Sequence, residues 1–129
     1  MKPSVNSFIT IYVLYLLDKH EDGMYGKEMM NEMTKRFKGA WSPSHGLVYP
    51  ILSELEKEGI VDGKWDRGSN NRNVRKYAIT EAGRAFYQAK KKEAESSFTE
   101  SLIMIELFMM DVYEGKSYDF SDLSDIEEE

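Results

Sequence analysis

Residues 41–61 have the sequence WSPSHGLVYPILSELEKEGIV, which carries the main structural signal in the chain. The second half has the apolar spacing of an amphipathic helix that stops at Gly59. Ser42 and Ser44 offer two helix N-caps. Pro50 would cost a helix interior about 3 kcal/mol, so the helix either begins late or tolerates a distorted first turn. The apolar positions are Val48, Ile51, Leu52 and Leu55.

The segment that follows predicts a β-hairpin. The runs IVDGKWD and VRKYAIT contain strand-forming residues, and the turn-forming run RGSNNRN joins them. Between residues 64 and 76, five basic residues stand against one acid, Asp66, a local charge of +4 in a chain whose total is −6. A helix with a hydroxyl-rich start and a basic hairpin after it predicts a winged helix-turn-helix. In that fold the helix enters the major groove of DNA and the hairpin, or wing, lies along phosphates.

On this hypothesis the DNA-binding residues come from the first turn of the helix and from the wing. The helix turn offers hydroxyl and imidazole groups for base edges, and the wing offers cations for phosphates. The predicted DNA-binding residues are Ser44, His45, Gly46, Tyr49, Lys64, Arg67, Arg72, Arg75 and Lys76.

Four motifs, taken in order, resemble the PadR family of bacterial transcriptional regulators. They are Tyr25-Gly26, PSHGLVYP at 43–50, LEKEGIV at 55–61 and YAITEAGR at 77–84, and the resemblance extends roughly from residue 8 to residue 112. It implies a sequence-specific DNA-binding transcriptional regulator that acts as a homodimeric repressor. It also implies that the first and last helices form the dimer, as in the short family members with a single C-terminal helix.

Length, composition and the N-terminal sequence limit the class of protein. The chain has 129 residues, 41% hydrophobic and 31% charged, which fits one soluble globular domain. It has no cysteine, which excludes disulfides and thiolate chemistry. The apolar run from Phe8 to Leu17 is too short to span a bilayer, and no signal-peptide cleavage site follows it. The sequence therefore predicts a cytoplasmic protein that does not enter the membrane.

Two apolar segments predict helices that need a partner. Phe8–Leu17 is apolar on nearly every side; its length favours a helix, although its β-branched and aromatic residues also suit a buried strand. A second helical pattern begins at Glu81, capped by Thr80, and continues to about Val112, a length of about 48 Å. Its later apolar residues recur at steps of four and three, the spacing of a coiled coil. The predicted dimerisation residues are Phe8, Tyr12, Tyr15, Phe98, Leu102, Ile105 and Met109.

One more helix is predicted for residues 25–37. Its apolar stripe contains Gly26, Met30, Met33 and Phe37. The methionines either fill the core or form an adaptable ligand surface. Trp41 and Trp65 are interpreted as anchors of the core or of the wing base, and not as stacking platforms for bases.

These assignments divide the chain into three parts. Residues 1–80 are predicted to form a winged-helix DNA-binding domain, mainly α with a small β-hairpin. Residues 81–113 are predicted to form a long C-terminal dimerisation helix, and residues 114–129 an acidic, disordered tail. From Asp111 onward, eight acids and one lysine give a charge of −7, which leaves +1 for residues 1–110. Such a tail either keeps the protein soluble or competes with phosphate for the wing.

Signals for catalysis are missing from the sequence. His20 and His45 are the only histidines, so a histidine-based metal cluster cannot form, and neither a GxSxG nor a GxxxxGK[ST] motif is present. The chain is therefore predicted not to be an enzyme and to need no cofactor.

Two alternatives to a DNA-binding repressor stay open. One is a winged-helix protein-interaction module, which would leave the basic wing unexplained. The other is a small-molecule-binding regulator whose effector releases DNA. The aromatic first helix and the methionine-rich last helix could enclose a small hydrophobic or aromatic effector. The family resemblance points the same way, because some members respond to phenolic acids or planar drugs.

Overall fold

The computed structural model describes residues 4–67 and 73–113. Within these residues it contains a mainly helical fold with a small antiparallel sheet, as the sequence predicts. The elements are α1 (Val5–Lys19), β1 (Met24–Tyr25), α2 (Gly26–Arg36), α3 (His45–Lys57), β2 (Val61–Arg67), β3 (Asn73–Ile79) and α4 (Glu81–Val112). The predicted acidic tail and the predicted phosphate ligand Arg72 lie outside the described residues.

Helix α1 forms the centre of the core because nearly every side of it is apolar. The side chain of Ser4 caps it by accepting a hydrogen bond from the backbone N–H of Ser7 at 3.0 Å. The helix packs against α3, α4 and β3. Its buried residues are Ile9, Val13, Leu14, Leu16 and Leu17. The predicted helix is confirmed, and the alternative of a buried strand is wrong.

Strand β1 is an element that the sequence did not predict. Met24 pairs with Tyr77 and Tyr25 pairs with Lys76, which places β1 beside β3 in the sheet order β1-β3-β2. Helix α2 therefore begins one residue later than predicted. Its buried residues are Gly26, Met29, Met30 and Met33, so the methionines fill the core.

Helix α3 begins before Pro50 and continues through it. Ser44 is the N-cap, and its carbonyl oxygen accepts hydrogen bonds from the N–H groups of Leu47 and Val48, each at 3.1 Å. The alternative of a late start after Pro50 is therefore wrong. The predicted apolar face is confirmed, with Val48, Leu52 and Leu55 buried. Gly59 ends the element with φ +77°, a conformation that favours glycine.

The hairpin and the last helix follow the predicted order. Strands β2 and β3 pair antiparallel from Val61↔Ile79 to Arg67↔Asn73. Helix α4 is capped by the Thr80 side chain, which accepts a hydrogen bond from the N–H of Gly83 at 2.9 Å, as predicted. Helix α4 packs on α1, and the ring centroids of Phe8 and Phe98 in this contact are 6.4 Å apart.

The two tryptophans have different environments. Trp41 packs edge-on against Phe8, with ring centroids 5.7 Å apart, and anchors the aromatic part of the core. Trp65 is 69% exposed, so of its two predicted roles, anchor of the core or of the wing base, the first is wrong. Strand β2 is buried at Val61 but leaves the core after Gly63, and Trp65 therefore lies where no core covers it.

Candidate nucleic-acid interface

The first turn of α3 presents polar groups to solvent. Ser44, His45 and Gly46 are exposed, and the Ser44 side chain makes no capping hydrogen bond. The rings of His45 and Tyr49 stack with centroids 5.2 Å apart and planes 21° apart. The buried opposite face of α3 fixes this turn on the surface of the domain. Three of the four DNA-binding residues predicted on α3 are thus exposed together, and the fourth, Tyr49, stacks on the imidazole of His45.

Tyr49 is half-buried because its ring lies against the start of α2. A Cβ atom on Gly26 would come within 2.7 Å of the Tyr49 ring, so only glycine permits this contact. The contact holds α2 and α3 at a close distance across the turn that joins them. Gly26 is therefore part of the site, and its signal in the sequence was the Tyr25-Gly26 motif.

One face of the wing carries the cations Lys64 and Lys76 directly opposite each other. Lys64 Nζ lies 3.9 Å from Asp62, a weak and well-solvated pair. Lys76 Nζ lies 5.4 Å from the ring centroid of Tyr25. An exposed cation, Lys64, and a half-buried one, Lys76, on one face form a surface that suits phosphate.

Tyr25 also ties the wing to the start of α2. Its hydroxyl donates a hydrogen bond to Asp66 Oδ2 at 2.7 Å. This bond, followed by one from the backbone N–H of Arg67, lowers the pKa of Asp66. The same bond raises the pKa of the Tyr25 hydroxyl. Asp66, the one acid between residues 64 and 76, thus accepts a hydrogen bond from a tyrosine, a contact that the sequence did not predict.

Arg75 lies on the opposite face of the wing, towards α3. Its guanidinium donates hydrogen bonds from Nε, at 3.2 Å, and from Nη2 to the two carboxylate oxygens of Glu56. The hydrogen bonds from Arg75 lower the pKa of Glu56, and a hydrogen bond from the backbone of Gly63 lowers it further. The guanidinium also lies 5.0 Å from the ring centroid of Trp65.

The structure therefore separates the predicted wing cations. Lys64 and Lys76 share one face, whereas Arg75 faces α3. Arg67 is exposed at the end of β2. Sequence reasoning missed Glu56 and Tyr25 as partners of the wing, although both lie in the motifs that carry the family resemblance.

In residues 4–67 and 73–113, histidine, aspartate and glutamate side chains form no group of three or more that could hold a metal ion. No helix in these two ranges is long and apolar enough to cross a membrane.

Comparison with known proteins identifies the family. The model of the transcriptional regulator PadR-like family matches residues 13–89, more than half of the chain. An uncharacterised protein of Lysinibacillus sphaericus is 26% identical over 89 residues, which cover 69% of this chain and 78% of that protein.

Solved structures with the same fold are more distant in sequence. A transcriptional regulator from Clostridium thermocellum is 22% identical, with a TM-score of 0.65, over 77% of this chain and 92% of the other. Bacillus subtilis PadR, solved in complex with operator DNA, is 21% identical, with a TM-score of 0.56, over 64% of this chain and 45% of the other. These likenesses confirm the winged-helix fold with a long C-terminal helix, and the family match confirms what the four motifs indicated. The chain belongs to the PadR-like family, whose members are transcriptional regulators and not enzymes.

Proposed function

We propose that the chain is a sequence-specific DNA-binding repressor that acts as a homodimer in the cytoplasm. The first turn of α3 enters the major groove, and the wing, β2 and β3 with their connection, lies on phosphates. The observation that carries the proposal is the exposed turn of Ser44, His45 and Gly46 on a helix that is otherwise anchored in the core. The operator complex of Bacillus subtilis PadR supports it by analogy of fold.

Base recognition is assigned to the first turn of α3. Hydroxyl and imidazole groups can donate to and accept from base edges, and Gly46 lets the backbone approach the groove closely. Tyr49 holds the His45 ring by stacking and is itself held by Gly26. The N-terminus of α3 also favours a nearby phosphate through its free N–H groups and dipole.

Phosphate binding is assigned to the wing. Among the described cations of the wing, Lys64, Arg67 and Lys76 are assigned to phosphate, whereas Arg75 makes a forked contact with a carboxylate. The pair of Lys64 with Asp62, at 3.9 Å, is largely solvated and contributes little. Arg72 joins the assigned cations from the sequence alone. Such contacts give affinity without sequence preference and depend strongly on salt.

Dimerisation is assigned to α4 together with α1. Only Gly83 and Tyr87 are buried among the residues of α4, and its second half exposes apolar side chains on all sides. Those at least half exposed are Leu102, Ile103, Met104, Ile105, Leu107, Phe108 and Val112. An apolar patch of this extent marks an interaction surface, and a second copy would supply the matching one. Residues 1–80 then form the DNA-binding unit and residues 81–113 the dimerisation unit.

Substitutions in the two parts of the interface should have different effects on DNA binding. Arg67→Ala should weaken binding to a selected duplex and to random duplex equally, and should reduce the slope of log affinity against log salt by about 1. His45→Ala should cost about 1–3 kcal/mol on the selected duplex and little on the random one. Fluorescence anisotropy over a series of salt concentrations measures both effects.

Lys92→Ala provides the matched control for the wing. Lys92 is exposed on α4, and its removal changes the net charge as much as Arg67→Ala does. It should leave the salt slope unchanged. Equal slopes for wild type and Arg67→Ala would show that the wing is not a phosphate-binding surface.

Control of DNA binding by a small hydrophobic or aromatic effector is a second proposal. A groove of about 500 Å³ lies between α1 and α4, lined by Ile11 and Phe98 and by Lys91, Lys92 and Glu95. A ligand there would release DNA only through unequal affinity for the DNA-binding and non-binding arrangements. Planar aromatic compounds should then bind the protein, as equilibrium dialysis measures, and dissociate the DNA complex. Compounds that bind the protein but leave the DNA complex intact would overturn the proposal that an effector releases DNA.

A further inference from the structure

One ion pair joins the proposed recognition helix to the wing. Glu56 lies in the last turn of α3 and Arg75 in the middle of β3, and two hydrogen bonds connect their side chains. Each side chain is 28% exposed, so water screens the pair only partly. A forked contact between guanidinium and carboxylate fixes orientation as well as distance.

The surroundings of this pair are built to hold it. A Cβ atom on Gly63 would lie 2.9 Å from Glu56 Oε1 and 3.0 Å from Arg75 Nε, so a side chain at that position would crowd the contact. Trp65 lies directly opposite Arg75 in the β-ladder, and its ring lies under the guanidinium. This cation–π contact gives the guanidinium a second partner besides Glu56. The exposed indole of Trp65 thereby has a defined role.

The same geometry argues against Arg75 as a phosphate ligand. Arg75 faces α3, whereas its neighbour Lys76 faces the other side of the wing with Lys64. A phosphate that approached Arg75 would also meet the carboxylate of Glu56 and be repelled by it. The charge of Arg75 is therefore balanced by Glu56 within the domain.

We propose that Glu56 and Arg75 are positioning residues that set the angle between α3 and the wing. With that angle fixed, the first turn of α3 and the cations of the wing can contact one duplex at the same time. Preorganisation of this kind gives affinity by removing the entropy cost of ordering the wing on binding. The inference rests on the proposed DNA-binding function.

Glu56→Gln distinguishes positioning from direct phosphate binding, because the two roles predict opposite results. If Arg75 bound phosphate and Glu56 competed for it, the substitution would tighten DNA binding and steepen the salt slope. If the pair positions the wing, the substitution should weaken specific binding by about tenfold or more, although it removes a negative charge. The probe is a duplex that the wild-type chain selects from a randomised pool.

Two further variants sharpen the test. Arg75→Lys keeps the charge but loses the fork and the stacking on Trp65, so it should lose as much binding as Glu56→Gln. A phosphate ligand would tolerate lysine. Glu58→Gln removes the same charge from an exposed residue two positions further along, and should leave binding unchanged or slightly tighter.

A measurement without DNA reports on the wing itself. Hydrogen exchange of the free protein should become faster in β2 and β3 of Glu56→Gln while α1 stays protected as in wild type. A cooperative thermal unfolding transition of Glu56→Gln would show that the variant is folded. If the wild-type chain selects no duplex, the proposed function fails and this inference fails with it. If the wild type binds and Glu56→Gln binds as tightly, the inference alone is overturned.

Discussion

Aspartate at both Leu102 and Ile105 is expected to abolish the dimer. The wild-type chain of 15.0 kDa should sediment at twice that mass at micromolar concentration. Leu102 and Ile105 are 61% and 55% exposed in the single chain and lie on the apolar second half of α4. Two carboxylates buried without partners at a helix–helix interface would cost several kcal/mol, roughly the magnitude that unfolds or dissociates small assemblies. Sedimentation velocity should show a 15.0 kDa species or an unfolded chain.

A matched control tests whether the position of the two added charges, and not their number, dissociates the dimer. Gln88→Asp with Ser96→Asp also adds two negative charges to exposed positions of α4, but before its apolar second half. This variant should sediment as wild type does. A wild-type chain that is a stable monomer at micromolar concentration would contradict the assignment of α4 to dimerisation.

Gly83→Ala is expected to destabilise the fold by about 3 kcal/mol or more, by overpacking against backbone. Alanine ordinarily stabilises a helix by about 1 kcal/mol relative to glycine, so the sign is reversed here. A Cβ atom at this position would lie 2.0 Å from the carbonyl oxygen of Ile60. That oxygen cannot move away easily, because it accepts hydrogen bonds from the N–H of Thr80 at 3.1 Å and from its hydroxyl at 3.0 Å.

Gly46→Ala is the control for Gly83→Ala. Gly46 is also helical, but a Cβ there would meet only the Ser44 hydroxyl oxygen, at 3.8 Å. The change should be neutral or stabilise by about 0.4–1 kcal/mol through the unfolded chain. Urea unfolding at one fixed protein concentration measures both variants, because the stability of a dimer depends on concentration. Equal stability of Gly83→Ala and wild type would show that α4 does not approach Ile60 this closely.

The helices could be predicted because their signals are local. Thr80 caps α4 as its position before Glu81 indicated, and the apolar stripe of α3 contains the residues that are buried. Strand β1 has only two residues and exists through its pairing with β3, more than fifty positions away, so no local pattern could indicate it. Local sequence also left the start of α3 open at Pro50, because the burial of the apolar face of α3 against the core stabilises a helix that continues through the proline.

The position of the site could be predicted from the sequence, but the contacts of its side chains with other elements could not. The exposed first turn of α3 follows from the burial of the opposite face. Arg75 lies two residues before the buried Tyr77, so strand alternation places it on the core side, away from Lys76. Its partner Glu56 is nineteen positions away on another element, and that contact depends on how α3 packs on the sheet. Charge alone had grouped cations that the fold separates.

Selection of duplexes from a randomised pool by the wild-type chain tests the central claim most directly. The account predicts enrichment of a two-fold symmetric site whose half-sites are about 34 Å, one helical turn, apart. The same selection with His45→Ala should enrich altered half-sites at the same spacing. A pool that stays random after repeated rounds, while the folded dimer still binds DNA at low salt, would contradict sequence-specific recognition by the first turn of α3.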